Sequence, residues 1–198
     1  VSVISPITSL PPKRIVVTGG PGAGKTAVLE IARRELGAGI EILPEAASIV
    51  FGGGFPRRSD MPSKCAAQRT IYHVQDQLER MTMERGQSTA VLCDRGTIDG
   101  LAYWPGRWED FFAELGTSVE RELARYAAVV HLRVPDATNG YHSSSVRIES
   151  VREAQEIDAR LLEVWSHHPC RVVIDTHADF FRKAKRAVDE LRRLAEVG

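Results

Sequence analysis

Five short apolar runs recur along the chain, and most are followed by segments whose apolar positions return every three or four residues. The runs are RIVVT (14–18), IEIL (40–43), STAVLC leading into Asp94, AAVVHLRV (127–134) and RVVID (171–175). None alternates cleanly between apolar and polar, which is the pattern of strands buried on both faces of a parallel sheet. After the first run, Val28, Ile31, Ala32 and Leu36 fall at helical spacing, and Gly37 and Gly39 end that helix. A helix is predicted over 64–85, with Ile71, Val74, Leu78 and Met81 on one face. WEDFFAEL and SVERELARY read as short helices. Val151, Ala154, Ile157, Leu161 and Trp165 mark another helix, and a last one runs over 179–195.

Strands alternating with helices predict an α/β fold: a parallel sheet covered on both faces and closed by right-handed crossovers. Two segments break the alternation. FGGGFPRRSDMPS (51–63), with three consecutive glycines and two prolines, reads as a mobile surface loop. PDATNGYHSSS (135–145) is polar and rich in turn formers. There is no internal repeat and no linker long enough to separate two domains. Residues 1–13 are expected to be a flexible leader, and residues 14–198 a single domain.

Composition narrows the function more than the fold. At 198 residues the chain can bury a full core without disulfides or metal. Lysine plus arginine and aspartate plus glutamate balance at 26 each, so no global field favours nucleic acid or an anionic membrane. The expected partner is a small molecule, with no nucleic acid; a homodimer is compatible with this composition. Cys65, Cys93 and Cys170 lack metal or redox spacing and read as free thiols in a reducing compartment. No run approaches the roughly 20 apolar residues of a membrane span, so a cytoplasmic protein is expected. The histidines, including the adjacent pair His167 and His168, show no metal-site spacing.

The strongest chemical signal is GGPGAGKT, residues 19–26, set between the first strand and the first helix. It fits the G-x-x-x-x-G-K-[ST] pattern of a phosphate-binding loop. Backbone N–H groups of Gly19, Gly20, Pro21, Gly22, Ala23 and Gly24 (proline contributing only its fixed φ) and the helix N-terminus are expected to surround nucleotide phosphates. Lys25 is expected at the β and γ phosphates and Thr26 at Mg²⁺. Asp94, at the carboxyl end of the third run, is a candidate metal partner, because ligands of open α/β sheets bind at that edge. Arg95 beside it is a candidate bidentate donor to an anionic group. Glu45, at the corresponding end of the second run, competes with Asp94 for the role of base toward a substrate hydroxyl.

Weaker candidates surround these. Arg147 and Arg152, after the polar segment, suit a lid that meets developing charge and excludes water over about 136–150. Arg57 and Arg58 suit an anionic acceptor, and Gln68, Tyr72 and Gln75 lie at helical spacing on one substrate-facing side. His177 follows the fifth run, where an adenine pocket is expected from position.

These residues, as TGGPGAGKT, PEAA, CDRGTIDGLAY and RIESVREAQEIDARLLEVW, carry a resemblance. The chain from Arg14 onward resembles the AAA-type ATP-binding family related to the ribosylnicotinamide kinase domain of the bacterial NAD regulator NadR and, more distantly, nucleoside kinases. The resemblance implies a three-layer P-loop kinase fold with five parallel strands in the order 2-3-1-4-5. It implies an acceptor site among the loops after the second and third strands, and a lid after the fourth. Such kinases place a carboxylate after the second strand and a carboxylate–arginine pair after the third, matching Glu45 and Asp94–Arg95. The polar segment before the helix at 151–165 departs from arginine-rich kinase lids, with a serine run and one arginine. The expected activity is a Mg²⁺- and ATP- or GTP-dependent transfer of the γ-phosphoryl group to a hydroxyl of a small, nucleoside-like acceptor. The alternatives are a nucleoside triphosphatase, or a nucleotide-sensing switch or binding module.

Overall fold

The computed structural model describes residues 11–135, 151–176 and 179–196. Its strands are β1 (Lys13–Thr18), β2 (Ile40–Leu43), β3 (Ala90–Asp94), β4 (Ala128–Leu132) and β5 (Arg171–Ile174). They form one parallel sheet in the order β2-β3-β1-β4-β5. The helices are α1 (Lys25–Glu35), α2 (Ala46–Gly52), α3 (Met61–Arg85), α4 (Trp108–Leu115), α5 (Val119–Leu123), α6 (Val151–Val164) and α7 (Phe180–Ala195). A 3-10 helix, Thr97–Tyr103, follows β3. The strand order and the helical elements between the strands are those expected from the resemblance to the P-loop kinase fold.

The central runs β1, β3 and β4 bury both of their faces, as expected, whereas the edge strands β2 and β5 are mostly half-buried. On β1, Ile15 and Val17 join a cluster with Val28, Ala32, Val188 and Leu191 from α1 and α7. Val16, pointing the other way, joins Ile98, Leu101, Phe111 and Trp165. The register pairs Val17 with Asp94 and with Val130, so the carboxyl ends of the central strands lie level. The loops leaving β1, β2 and β3 therefore open on one edge.

Two expectations need correction. The segment 51–63 is not one loop: Phe51 and Gly52 close α2, and α3 begins at Met61, capped by Asp60 Oδ1, which accepts from Ser63 N at 2.9 Å. An aspartate cap and a proline in the first turn start a helix that glycine content obscures. The buried face of α3 also differs from the apolar stripe. Its buried residues are Ala67, Gln68, Tyr72, Gln75, Asp76, Glu79 and Thr82, whereas Met81 is exposed.

That polar face is satisfied by partners distant in sequence. Glu79, fully buried, pairs with Arg14 at 3.1 Å and Arg125 at 2.9 Å, and accepts from the Tyr126 hydroxyl at 2.7 Å. Arg125 also pairs with Asp76 at 2.8 Å. Buried charge persists only where it is paired and hydrogen-bonded. The network closes around α3, β1 and the start of β4, a feature that apolar periodicity does not encode.

Candidate active site

The level sheet edge gathers the predicted residues of β1, β2 and β3. Gly19 is held at φ 136°, and a Cβ there would stand 2.1 Å from the Leu132 carbonyl oxygen, so only glycine fits where the loop leaves β1 against β4. Lys25, at the start of α1, turns back over the loop and donates to the carbonyls of Gly19 at 2.9 Å and Gly20 at 3.2 Å. Burial, reinforced by the charge of Arg95, brings its ammonium down to about 7. Thr26 follows on the exposed side of the first turn.

Two carboxylates and a tyrosine ring converge on Arg95. Glu45 Oε1 accepts from Arg95 Nε at 2.6 Å, and Asp99 Oδ2 accepts from its Nη1 at 3.2 Å. Tyr103 presents its ring 5.7 Å from the guanidinium carbon. Burial disfavours the cation, but Tyr103, Asp99 and Glu45 together raise Arg95 above its ordinary value. Arg95 is the one non-glycine with positive φ (76°) among the described residues. Such backbone strain, about 1–3 kcal/mol, persists where surrounding contacts over-determine it. Here the contacts are the guanidinium's partners and the backbone bond from Arg95 N to Val17 O, 3.1 Å.

The two carboxylates considered for the base differ in kind. Burial opposes ionisation of Glu45, yet Arg95 and the Ser48 hydroxyl, 2.5 Å from Oε2, bring it down to about 2. Asp94 is pushed up to about 6, chiefly by burial and with help from Glu45 against Lys25. Asp94 Oδ1 is buried without a hydrogen-bond partner. A buried acceptor left bare costs stability unless a ligand engages it.

Asp94, Arg95, Glu45, Lys25, Thr26, Pro21 and Gly22 line one cavity of about 620 Å³. Its far wall is built from α2, residues 56–58, α3, the 3-10 helix and α6, and includes Arg57, Arg58, Gln68 and Gln75. Tyr72 is not on that wall: its ring is buried in the core and its hydroxyl donates to Glu122 at 2.8 Å. Tyr72 points away because α3 turns its Gln68 and Gln75 positions, not all three, toward the cavity. Arg152 is an exposed residue paired with Glu156 at 3.0 Å, away from the cavity wall. Arg147, His177 and the lid expected over 136–150 lie outside the described residues.

Sequence reasoning passed over several side chains that shape the site. Asp99 accepts from Thr18 Oγ1 at 2.6 Å and Trp165 Nε1 at 2.7 Å while it holds Arg95. Its place four residues after Arg95 was the available signal. Asp158 of α6 accepts from Gly20 N at 3.0 Å and Arg133 Nε at 2.7 Å, and its Oδ1 lies 2.9 Å from His131 Nε2. Against burial, the hydrogen bonds from His131 and Gly20 bring it down to about 2. A carboxylate between Ala154 and Leu161 on a buried helix face marks it in the sequence. Lys183 of α7 donates to the carbonyls of Ala23 and Arg133.

With this geometry in hand, comparison with known proteins separates lineage from likeness. A family model described as AAA domain matches residues 14–183. The chain belongs to that family. Within the AAA family match lie the glycine loop, Glu45, the Asp94–Arg95 pair and Asp158. No curated protein matches the chain in sequence. Solved structures share its fold across most of its length. Thymidylate kinase from Candida albicans is 14% identical with a TM-score of 0.64, covering 96% of this chain and 96% of that one. Deoxyadenosine kinase from M. mycoides with bound dATP is 15% identical with a TM-score of 0.60, covering 90% and 98%. NadR in complex with NAD and AMP-PNP is 19% identical with a TM-score of 0.60, covering 94% of this chain and 50% of that chain. At these identities the likeness is one of fold, a kinase-like nucleotide-binding architecture.

Proposed function

We propose that this AAA family member is a small-molecule kinase that moves the γ-phosphoryl group of ATP, or GTP, to a hydroxyl of a nucleoside-like acceptor. The observation that carries the reading is a single cavity running from Lys25 and Thr26, past Asp94, to the wall formed by α2 and α3. A triphosphatase or switch needs the loop end of this cavity; the extended chamber beyond it suits a second substrate. At the donor end, backbone N–H groups of the glycine loop and the start of α1 bind the phosphates; Pro21 has none to offer, and that of Gly20 is held by Asp158. Lys25 leaves its carbonyl partners for them, and the arriving charge favours its ammonium form.

The residues present fit a Mg²⁺ ion: Asp94 and Thr26 line the same cavity, and Asp94 carries a carboxylate oxygen, Oδ1, without a hydrogen-bond partner. Mg²⁺ commonly takes only one or two protein groups and completes its shell with water and phosphate. That agrees with the absence of any cluster of three carboxylate, histidine or cysteine ligands among the described residues. When bound, the ion would supply charge neutralisation at the phosphates.

In the transfer, the acceptor oxygen forms a bond to the γ-phosphorus, and that phosphorus loses its bond to the β–γ bridging oxygen. The nucleoside diphosphate departs, and the hydroxyl proton passes to solvent. Glu45, ionised by Arg95, orients the hydroxyl through its remaining lone pairs; a carboxylate near 2 is a weak proton trap, and loose phosphoryl transfer demands little of one. Arg95 meets charge on the transferred group. Arg147 and His177 are assigned by this reading to the lid and the nucleobase side, and Arg152, exposed and paired with Glu156, is left out of it.

The direct test is a panel of nucleosides, nucleotides and hydroxylated metabolites incubated with Mg²⁺ and ATP, with products read by mass spectrometry. A phosphorylated acceptor is expected, formed faster than ATP is hydrolysed alone. Hydrolysis unaffected by every acceptor would assign the protein to the triphosphatases instead.

A further inference from the structure

Two peptide groups of the phosphate loop are gripped from outside the cavity. Asp158 of α6 and Lys183 of α7 are both buried, and neither is on the cavity wall. Asp158 Oδ1 accepts from Gly20 N at 3.0 Å, and Lys183 Nζ donates to the Ala23 carbonyl at 2.8 Å. One takes an N–H of the loop and the other a C=O, so they set two peptide planes in opposite senses.

A trans peptide is planar, with its N–H and C=O on opposite sides. The Gly19–Gly20 peptide shows the consequence. Its N–H goes outward to Asp158, and its carbonyl, that of Gly19, accepts at 2.9 Å from Lys25, a residue of the cavity wall. The Ala23–Gly24 peptide is the reverse. Its carbonyl is turned outward to Lys183, which directs the Gly24 N–H to the cavity side of the loop, between Gly22 and Lys25 of the cavity wall. That N–H has no acceptor among the described residues.

Two further contacts of α7 secure the arrangement. Lys183 also donates to the carbonyl of Arg133, just beyond β4. The Phe180 ring, one turn earlier, packs on Gly24 so closely that a Cβ there would lie 2.6 Å from it, and Gly24 takes φ 94°, which glycine adopts without strain. Burial brings the Lys183 ammonium down to about 8, and Asp158 opposes that fall. A packed apolar side chain would avoid the cost of burying a cation, so the lysine has a task beyond filling space.

We propose that Lys183 is a positioning residue of the nucleotide site: by holding the Ala23 carbonyl it aims the Gly24 N–H at a nucleotide phosphate, while touching no ligand itself. This rests on the nucleotide-binding part of the reading above and is independent of the acceptor.

The test uses the full chain labelled with ¹³C at alanine carbonyls and ¹⁵N at glycine amides, so that a carbonyl–amide correlated NMR spectrum reports only Ala–Gly peptides. The sequence contains two, Ala23–Gly24 and Ala38–Gly39. The second lies in an exposed turn before β2 and serves as the internal control. On saturation with a non-hydrolysable ATP analogue and Mg²⁺, the Gly24 amide proton is expected to move downfield, as an N–H does on gaining a charged acceptor, while Gly39 stays in place. In Lys183→Met that shift should be lost, and the analogue should bind about tenfold weaker or more. The same loss is expected with inorganic tripolyphosphate, which has neither base nor sugar. An unmoved Gly39 signal in the variant reports that the fold is kept. The wild-type spectrum needs no variant: a Gly24 amide that stays in place while the analogue binds overturns the proposal, as does a shift equal in wild type and Lys183→Met. An analogue that does not bind at all overturns the nucleotide site and the proposal with it. A chain that shows the shift but phosphorylates no acceptor keeps Lys183 in this role and removes the kinase.

Discussion

The two ends of the cavity are built on opposite principles. At the phosphate-loop end, buried charges lock one another. Asp158 ties Gly20 to α6, Asp99 joins Thr18, Arg95 and Trp165, and Lys183 reaches the Ala23 carbonyl. At the acceptor end, Arg57, Arg58 and Lys64 are exposed side chains on a short connection and a helix start. The first end is preorganised, with its cost borne by the fold; the second is assembled from solvated groups that a ligand must order. Changes at the loop end should therefore alter both activity and stability, in the same or in opposite directions, and changes at the acceptor end should leave stability nearly untouched.

The largest effect is expected at Lys25. Lys25→Ala should lower kcat/KM by about 10² or more, the usual loss when one preorganised electrostatic donor is removed. The pKa gives a second readout. Burial depresses the folded value to about 7, so the folded protein lacks a proton that the unfolded chain holds, and stability rises with pH from about 7 toward the ordinary lysine value of 10.5. Phosphate binding restores that proton. Calorimetry at pH 8 in two buffers of different ionisation enthalpy should detect proton uptake when the ATP analogue binds wild type, and none in Lys25→Ala. Equal heats in both buffers for wild type would remove the lysine from the phosphate site.

Asp94→Asn should separate activity from stability. The folded carboxyl is raised to about 6, so the folded state holds its proton more tightly than the unfolded chain does. Stability therefore falls as pH rises from about 4 to about 6, and the ionised group is a cost at neutral pH. Replacing it with asparagine should raise stability at pH 7 by on the order of 2 kcal/mol, a midpoint gain of several degrees. The gain should vanish near pH 4, while turnover drops by about 10². A variant that is less stable at pH 7 would contradict the picture of a buried, unpartnered carboxylate kept for function.

The smallest effect belongs to Ser48, which lies on the acceptor side of Glu45. Ser48→Ala removes one donor to Glu45, so the acid limb of kcat/KM should move to slightly higher pH. Turnover at neutral pH should change by less than about threefold, and stability by about 0.5–1.5 kcal/mol or less, the worth of one hydrogen bond. A loss as large as that of Asp94→Asn would mean that Glu45 depends on Ser48 more than on Arg95.

Much of this molecule was legible before its coordinates. The five strands, the phosphate loop in its strand-to-helix setting, and the Glu45 and Asp94–Arg95 positions follow from local periodicity and from residue types with narrow conformational roles. Such signals are local in the chain, and a sequence carries them directly. The site's supporting residues were harder to see. Asp99 and Asp158 earn their positions through partners 81 and 138 residues away in Thr18 and Gly20. The polar face of α3 contradicts its apolar stripe because Arg14 and Arg125 arrive from other elements to neutralise Glu79 and Asp76. Periodicity reports which side chains avoid water, and a buried ion pair avoids water only when its partner is present. The sequence by itself determined the elements, their parallel arrangement and the chemistry of the donor loop. Only the tertiary structure decided which carboxylate is left bare and which is bound to arginine, because pairing and burial are properties of distance in space.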